Sequence, residues 1–356
     1  MGLIMISKCS GLAAFLSAVI ILTLGVGRAF AQSAPPLSSP VMDCQALANE
    51  NFTGVPDAPS AIISAKPVAA SGANHAYCDV IGFVQPQVQF ELRLPIDTWN
   101  GRYFQTGCGG LCGVAPIENC GDALAQDFAV AAQNMGHVGH FWGAALWGGV
   151  KELRVDYGAR STHVTALAAK AILTRYYGHK PRFAYFRGCS TGGREGLSEA
   201  QHFPADFDGI IVGDPAFAGR LGALSNNWDA RQLVSRNGEP VFGPAKLKLL
   251  HGAVLKACDG LDGVVDGIIS DPRACHFDPR TLACPAGQDG ADCLSGVQVQ
   301  SALNIYDGAR NSRGERLFPG HQMFGSEAAW DGDYVLRISD SYLQYLGFET
   351  LSLIHI

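Results

Sequence analysis

Gly188-Cys189-Ser190-Thr191-Gly192 follows the pattern G-x-S-x-G, which sets a serine at the tip of a sharp strand-to-helix turn and presents it as a nucleophile. The backbone at such a serine is strained, and small residues on either side let strand and helix pass closely. The N–H of Thr191 opens the helix and stands where it can stabilise a developing oxyanion. A second donor comes, in such sites, from a loop after an earlier strand. Gly107-Cys108-Gly109-Gly110 stands where that loop would be. With 43 glycines in the chain, the five-residue pattern is weak alone, and a glycine turn whose serine only caps a helix would carry the same letters. Its context strengthens it.

A serine nucleophile needs a histidine base oriented by a carboxylate, and in this kind of site both follow the serine. The histidines beyond Ser190 give poor matches. His321 lies in Gly-His-Gln-Met-Phe, which fits no triad pattern, His276 follows Cys275, and His202, His251 and His355 have no better setting. Arg194 and Glu195 read as helix and packing residues.

A second chemistry is suggested by Asp259, Asp262 and Asp266, interleaved with Gly260, Gly263 and Gly267 between Cys258 and Cys275. Three carboxylates in so short a loop can converge on one hard cation, with backbone carbonyls and water completing a calcium shell. The loop is not an EF-hand, because the 1-3-5 spacing is absent. The plain alternative is an acidic turn with solvated carboxylates.

The elements that must position these residues follow from periodicity. Val80–Val88 and Gln89–Leu94 alternate and read as strands, followed by a turn over Pro95–Gly101 and short strands at Arg102–Gln105 and Phe128–Ala132. Val164, Leu167, Ala168, Ala171 and Ile172 fall at helical spacing within Thr162–Tyr177, which Gly178 closes. Then come a strand at Phe183–Phe186, the serine turn, a helix from Gly193 to His202 and an apolar strand at Gly209–Val212. That order predicts an α/β fold with a mostly parallel sheet and helices on its faces. Past Ala218 the texture turns to glycine, aspartate and cysteine, which places a domain boundary near residue 217.

Composition narrows the class. The 356 residues are 47% hydrophobic and 16% charged with a net charge of -6, which gives no basic footprint for nucleic acid and too much apolar residue for disorder. Lys8, the apolar run Leu12–Val26 and Ala29-Phe30-Ala31 make residues 1–31 a signal peptide. A retained anchor is the alternative, since the run is almost long enough to span a bilayer. The mature protein is expected to be exported, periplasmic or secreted, with no membrane segment. Ten of the eleven cysteines remain after cleavage, and an exported chain holds them mainly as disulfides. No paired C-x-x-C or histidine spacing supports zinc.

WNGRYFQTGCGG (Trp99–Gly110), YFRGCSTGGREGL (Tyr185–Leu197), FPADFDGIIVGDPA (Phe203–Ala216) and CDGLDGVVDGIISDPRAC (Cys258–Cys275) together resemble the tannase and feruloyl esterase family, which includes a mono(2-hydroxyethyl) terephthalate hydrolase. The resemblance implies an α/β-hydrolase core over residues 32–216 with an inserted lid domain over 217–356. It implies Ser190 as nucleophile and the N–H groups of Gly110 and Thr191 as oxyanion donors. It also implies a structural calcium on the side chains of Asp259, Asp262 and Asp266 and the carbonyls of Val264 and Ile268. Cys189 matches a cysteine that, in the family, bonds a cysteine beside the catalytic histidine. Cys258 with Cys275, Cys284 with Cys293 and Cys44 with Cys78 are expected disulfides, while Cys108, Cys112 and Cys120 offer no unique pairing.

The sequence departs from the family at its end. No His-Cys dipeptide occurs, and Tyr342–Glu349 runs into Thr350–Ile356 (TLSLIHI), which matches nothing in the pattern. The chain therefore reads as a truncated frame, with the last core strands, the acid and the histidine expected beyond it and little activity expected from the 356 residues alone. The function expected of the parent is hydrolysis of small-molecule aromatic esters (gallate, ferulate or terephthalate monoesters) through an acyl-enzyme. The rival reading is a non-catalytic exported protein that binds aromatic esters on the same scaffold.

Overall fold

Apolar–polar alternation in the N-terminal third builds an antiparallel meander. The computed structural model describes residues 37–348, except 321 and 331 and the side chains of 333–337. The chain divides into Met1–Leu37 and Ser38–Ile356, and all the elements below belong to the second unit. The signal-peptide expectation for residues 1–31 lies outside the described residues, as do His321, His355 and the final residues from Glu349. Strands β1 (Ser60–Val68), β2 (Tyr77–Val84) and β3 (Val88–Pro95) pair in sequence, with Tyr77 opposite Pro95 and Val84 opposite Val88. The strand expected over Val80–Val88 is thus two strands: the chain turns at 85–87, where Pro86 supplies no N–H to a ladder. Strand β1 escapes the pattern reading, and its Pro67 sits on the outer strand of the sheet, where proline is tolerated.

Strands β4 (Arg102–Thr106), β5 (Ala129–Gln133), β6 (Phe183–Cys189) and β7 (Gly209–Gly213) complete a seven-stranded sheet of order β1-β2-β3-β5-β4-β6-β7. Pairs β5–β4, β4–β6 and β6–β7 are parallel, while β1–β2, β2–β3 and β3–β5 are antiparallel. The sheet is therefore mixed rather than mostly parallel. A short turn can only return a strand antiparallel, and parallel neighbours need the helical crossovers that occur only later in the chain.

The period of two sorts the centre of the sheet between its faces. Tyr103, Ala129 and Ala131 enter the core beneath helix α1 (Ser161–Tyr177), whereas Phe104, Val130 and Ala132 pack on the opposite face with Ile117, Cys120 and Leu124. On α1, Val164, Ala168 and Ile172 are buried and Leu167 and Ala171 lie against the same core, as their spacing predicts. Gly178 ends the helix in a left-handed conformation, its N–H on the carbonyl of Thr174. Helix α2 (Thr191–His202) packs on β6 and β7.

Beyond Ala218 the described residues form helices and loops: α3 (Gly219–Leu233), α4 (Pro244–Cys258), α5 (Gly296–Asp307) and α6 (Gly332–Tyr345). They enclose their own apolar cluster, in which Leu250, Val254, Ile305 and Trp330 are buried. Ile338, Tyr342 and Tyr345 of α6 instead pack against Leu111, Met135 and Tyr157 on the sheet side. The three expected disulfides, Cys44–Cys78, Cys258–Cys275 and Cys284–Cys293, are present, and Cys108 pairs with Cys112. Cys120 is a buried thiol and Cys189 an exposed one. Among the described residues no helix is long and apolar enough to cross a membrane.

Candidate active site

Ser190 stands between β6 and α2 with φ 58° and ψ -120°, a conformation that costs a non-glycine residue about 1–3 kcal/mol and needs support from its surroundings. The support is local. The Ser190 N–H donates to the carbonyl of Gly213 at 3.0 Å, and the Ser190 carbonyl accepts from the N–H of Ala216 at 3.0 Å. Gly188 makes the turn sterically possible, because a Cβ there would stand 2.1 Å from the carbonyl oxygen of Gly192. The serine itself is exposed.

Residues 107–112 lie beside this turn. Gly110 has φ 56°, and a Cβ there would stand 2.4 Å from the Phe141 carbonyl oxygen, so the position tolerates little but glycine. The Thr191 hydroxyl donates to the Gly110 carbonyl at 2.8 Å. The Cys108–Cys112 disulfide closes the loop around Gly110. Below it, the ring of His137 meets the Leu111 carbonyl at 2.8 Å and stacks on Trp147 at 3.8 Å between centroids. Burial holds the His137 imidazole below its usual pKa.

Gly110, Ser190 and Thr191 line one cavity of ≈ 460 Å³, walled largely by Leu111, Trp142, Tyr157, Phe217 and Tyr342. Trp142 and Phe217 are 52% and 73% exposed. Exposed aromatic side chains beside Ser190 offer apolar surface to a flat group. Arg194 also reaches the cavity, but its guanidinium donates to the carbonyls of Tyr157 (2.7 Å) and Gly158 (2.8 Å). Burial pushes the Tyr157 phenol up to about 12, so it stays protonated at neutral pH.

Most of the described histidines are engaged elsewhere. His75 meets Asp127, His163 meets Asp206, His251 meets Glu327 and His202 meets Ser198. His179 contacts Ser38, His140 takes the N–H of Trp142, and His276 is exposed. None of these partners is Ser190.

Glu195, which reads from sequence as a packing residue, is buried behind the site, and the Cys108 N–H donates to its carboxylate. A second buried acid, Glu199, lies one turn on, fully buried, with both oxygens unpartnered among the described residues. Burial first, and then neighbouring Asp206, raise its pKa to about 9. His163 Nδ1 lies 2.5 Å from Asp206 Oδ2, and Lys170 donates to the Asp206 carbonyl. A glutamate on a helix is usually solvated, so nothing in the residue letters marks these two as buried.

In the acidic loop, Asp259 accepts from the N–H groups of Asp266 and Gly267, Asp262 from Val264 and from the Ser270 hydroxyl, and Asp266 from Ile268. The ligand atoms that these side chains offer are carboxylate oxygens, the type a hard cation takes. The three carboxylates do not converge within 4.8 Å of one another; among the described residues only His163, Glu199 and Asp206 form such a group.

The family model described as tannase and feruloyl esterase matches residues 73–350. The mono(2-hydroxyethyl) terephthalate hydrolase of Piscinibacter sakaiensis is 34% identical over 310 residues, covering 75% of this chain and 50% of its own. A probable feruloyl esterase B-2 of Aspergillus flavus is 34% identical over 274 residues, covering 73% and 50%. The crystal structure of feruloyl esterase B from Aspergillus oryzae superposes with a TM-score of 0.70 at 26% identity, covering 87% of this chain and 66% of that one. The chain spans about half the length of the curated relatives it matches.

Proposed function

The chain belongs to the tannase and feruloyl esterase family, and on that premise we propose that the parent protein is a serine carboxylic-ester hydrolase acting on esters of aromatic acids. One observation carries the reading: Ser190, at φ 58° on a strand-to-helix turn, shares a cavity with Gly110 and Thr191. Ser190 Oγ attacks the ester carbonyl, and the carbonyl oxygen, now an alkoxide, takes hydrogen bonds from the Gly110 and Thr191 N–H groups. The alcohol leaves, and water then releases the acid from the acyl-serine. The Trp142, Tyr157 and Phe217 faces support an aromatic acyl group.

The proton taken from Ser190 needs a base, which we assign, with its carboxylate, to residues outside the described ones. Residues 217–356 serve as a lid over the core, and Asp259, Asp262 and Asp266 with the carbonyls of Val264 and Ile268 would hold a structural calcium only by drawing together three carboxylates that do not converge on their own. Four disulfides support export to an oxidising compartment. Hydrolysis of methyl ferulate by the full-length gene product, lost in Ser190→Ala, tests the reading. Saturable binding of the ester without hydrolysis would favour the binding protein instead.

A further inference from the structure

The Glu195 carboxylate is 4% exposed and accepts three hydrogen bonds from three different elements. The Cys108 N–H donates to Oε2 at 2.8 Å, while Gln133 Nε2 and the Thr162 hydroxyl donate to Oε1 at 2.6 and 2.7 Å. Gln133 ends β5, and its own side-chain oxygen accepts the Met135 N–H. Thr162 lies in the first turn of α1. A carboxylate buried behind the Ser190 turn is a poor choice for packing, since an apolar side chain of similar size is often as stable. What a carboxylate supplies here is a strong acceptor for a buried backbone N–H, and Cys108 is 1% exposed.

We propose that Glu195 is a positioning residue for the oxyanion hole, an inference that rests on the esterase reading. It sits on α2, the helix that opens with Thr191, and it grips Cys108, two residues before Gly110. Both N–H donors are thereby carried on one rigid unit with Ser190. The Cys108–Cys112 disulfide and the Thr191–Gly110 hydrogen bond tie the loop at its other points, so the carboxylate sets its angle. Without it, the Cys108 N–H is buried without an acceptor and the loop rotates to find one.

The test uses the full-length protein with Glu195→Gln and Glu195→Ala. Expected is a fall in kcat on methyl ferulate of about 10-fold for the first and about 100-fold for the second, with KM unchanged within about twofold. Affinity for an aryl trifluoromethyl ketone, which forms the oxyanion, falls in parallel, while free ferulate binds as before. Amide exchange at Cys108–Leu111 rises in both variants. Wild-type kcat and wild-type exchange in Glu195→Ala overturn the proposal. So does equal weakening of ketone and ferulate in step with a lowered Tm, which marks a general structural role. If wild type itself hydrolyses no ester, the esterase reading has failed, and amide exchange at Cys108–Leu111 alone then decides whether Glu195 holds the loop.

Discussion

The hydroxyl of Thr191 donates to the carbonyl of Gly110 across 2.8 Å, joining the first residue of the helix after Ser190 to the loop beside it. Neither residue contributes its side chain to the proposed chemistry. Their backbone N–H groups do, and this bond fixes one donor relative to the other.

Thr191→Val keeps the shape and the backbone N–H but removes that bond. In the full-length protein kcat on an aromatic ester should fall roughly 10-fold with KM little changed. Stability should drop by about 1 kcal/mol in denaturant unfolding. A kcat equal to wild type would show that the loop is held without Thr191.

Gly188→Ala drives a methyl group into the Gly192 carbonyl oxygen, 2.1 Å away. The turn cannot relax without moving Ser190, because Gly213 and Ala216 hold its backbone on both sides. We expect a loss of about 3 kcal/mol or failure to fold, read by urea unfolding and soluble yield.

The buried Glu199 makes stability depend on pH. Its folded-state pKa of about 9 lies above its ordinary value of 4.5, so the native state binds a proton that the unfolded state has released. That contribution is complete below pH 4.5 and is lost as pH rises through about 9. Glu199→Gln mimics the protonated acid. It should leave Tm near wild type at pH 5 and raise it at pH 8.5, by an amount corresponding to about 1 kcal/mol or more. Parallel Tm profiles for both proteins would contradict this.

Calcium is tested by thermal unfolding with and without chelator. A site that binds only the folded state adds about 2.7 kcal/mol at a hundredfold excess over Kd. We expect calcium to raise Tm by several degrees and Asp259→Asn, which removes the most buried of the three carboxylates, to abolish the response.

Residue letters report whatever the backbone itself demands. Gly188, Ser190 and Gly192 are forced by one tight turn, so the elbow is readable, and so is the face of α1 carried by Val164, Ala168 and Ile172. Two disulfides, Cys258–Cys275 and Cys284–Cys293, follow from short spacings, but Cys108, Cys112 and Cys120 lie too close together for spacing to choose a pair. The break at Pro86 escapes because alternation continues across it. Glu195 and Glu199 are invisible because their burial depends on elements far away in sequence, including Thr162, Gln133 and Asp206. The pattern of histidines gives no base, and none of the partners seen for the described histidines is Ser190.

If Ser190 is the nucleophile, an electrophile that mimics an ester must capture it covalently. The full-length gene product is treated with a fluorophosphonate and digested, the modified peptide is identified by mass spectrometry, and methyl ferulate hydrolysis is followed in parallel. Expected are a single phosphonyl group on the peptide containing Ser190, loss of hydrolysis in step with labelling, and neither labelling nor hydrolysis in Ser190→Ala. Hydrolysis that survives Ser190→Ala, or labelling of a different serine that abolishes turnover, would contradict it.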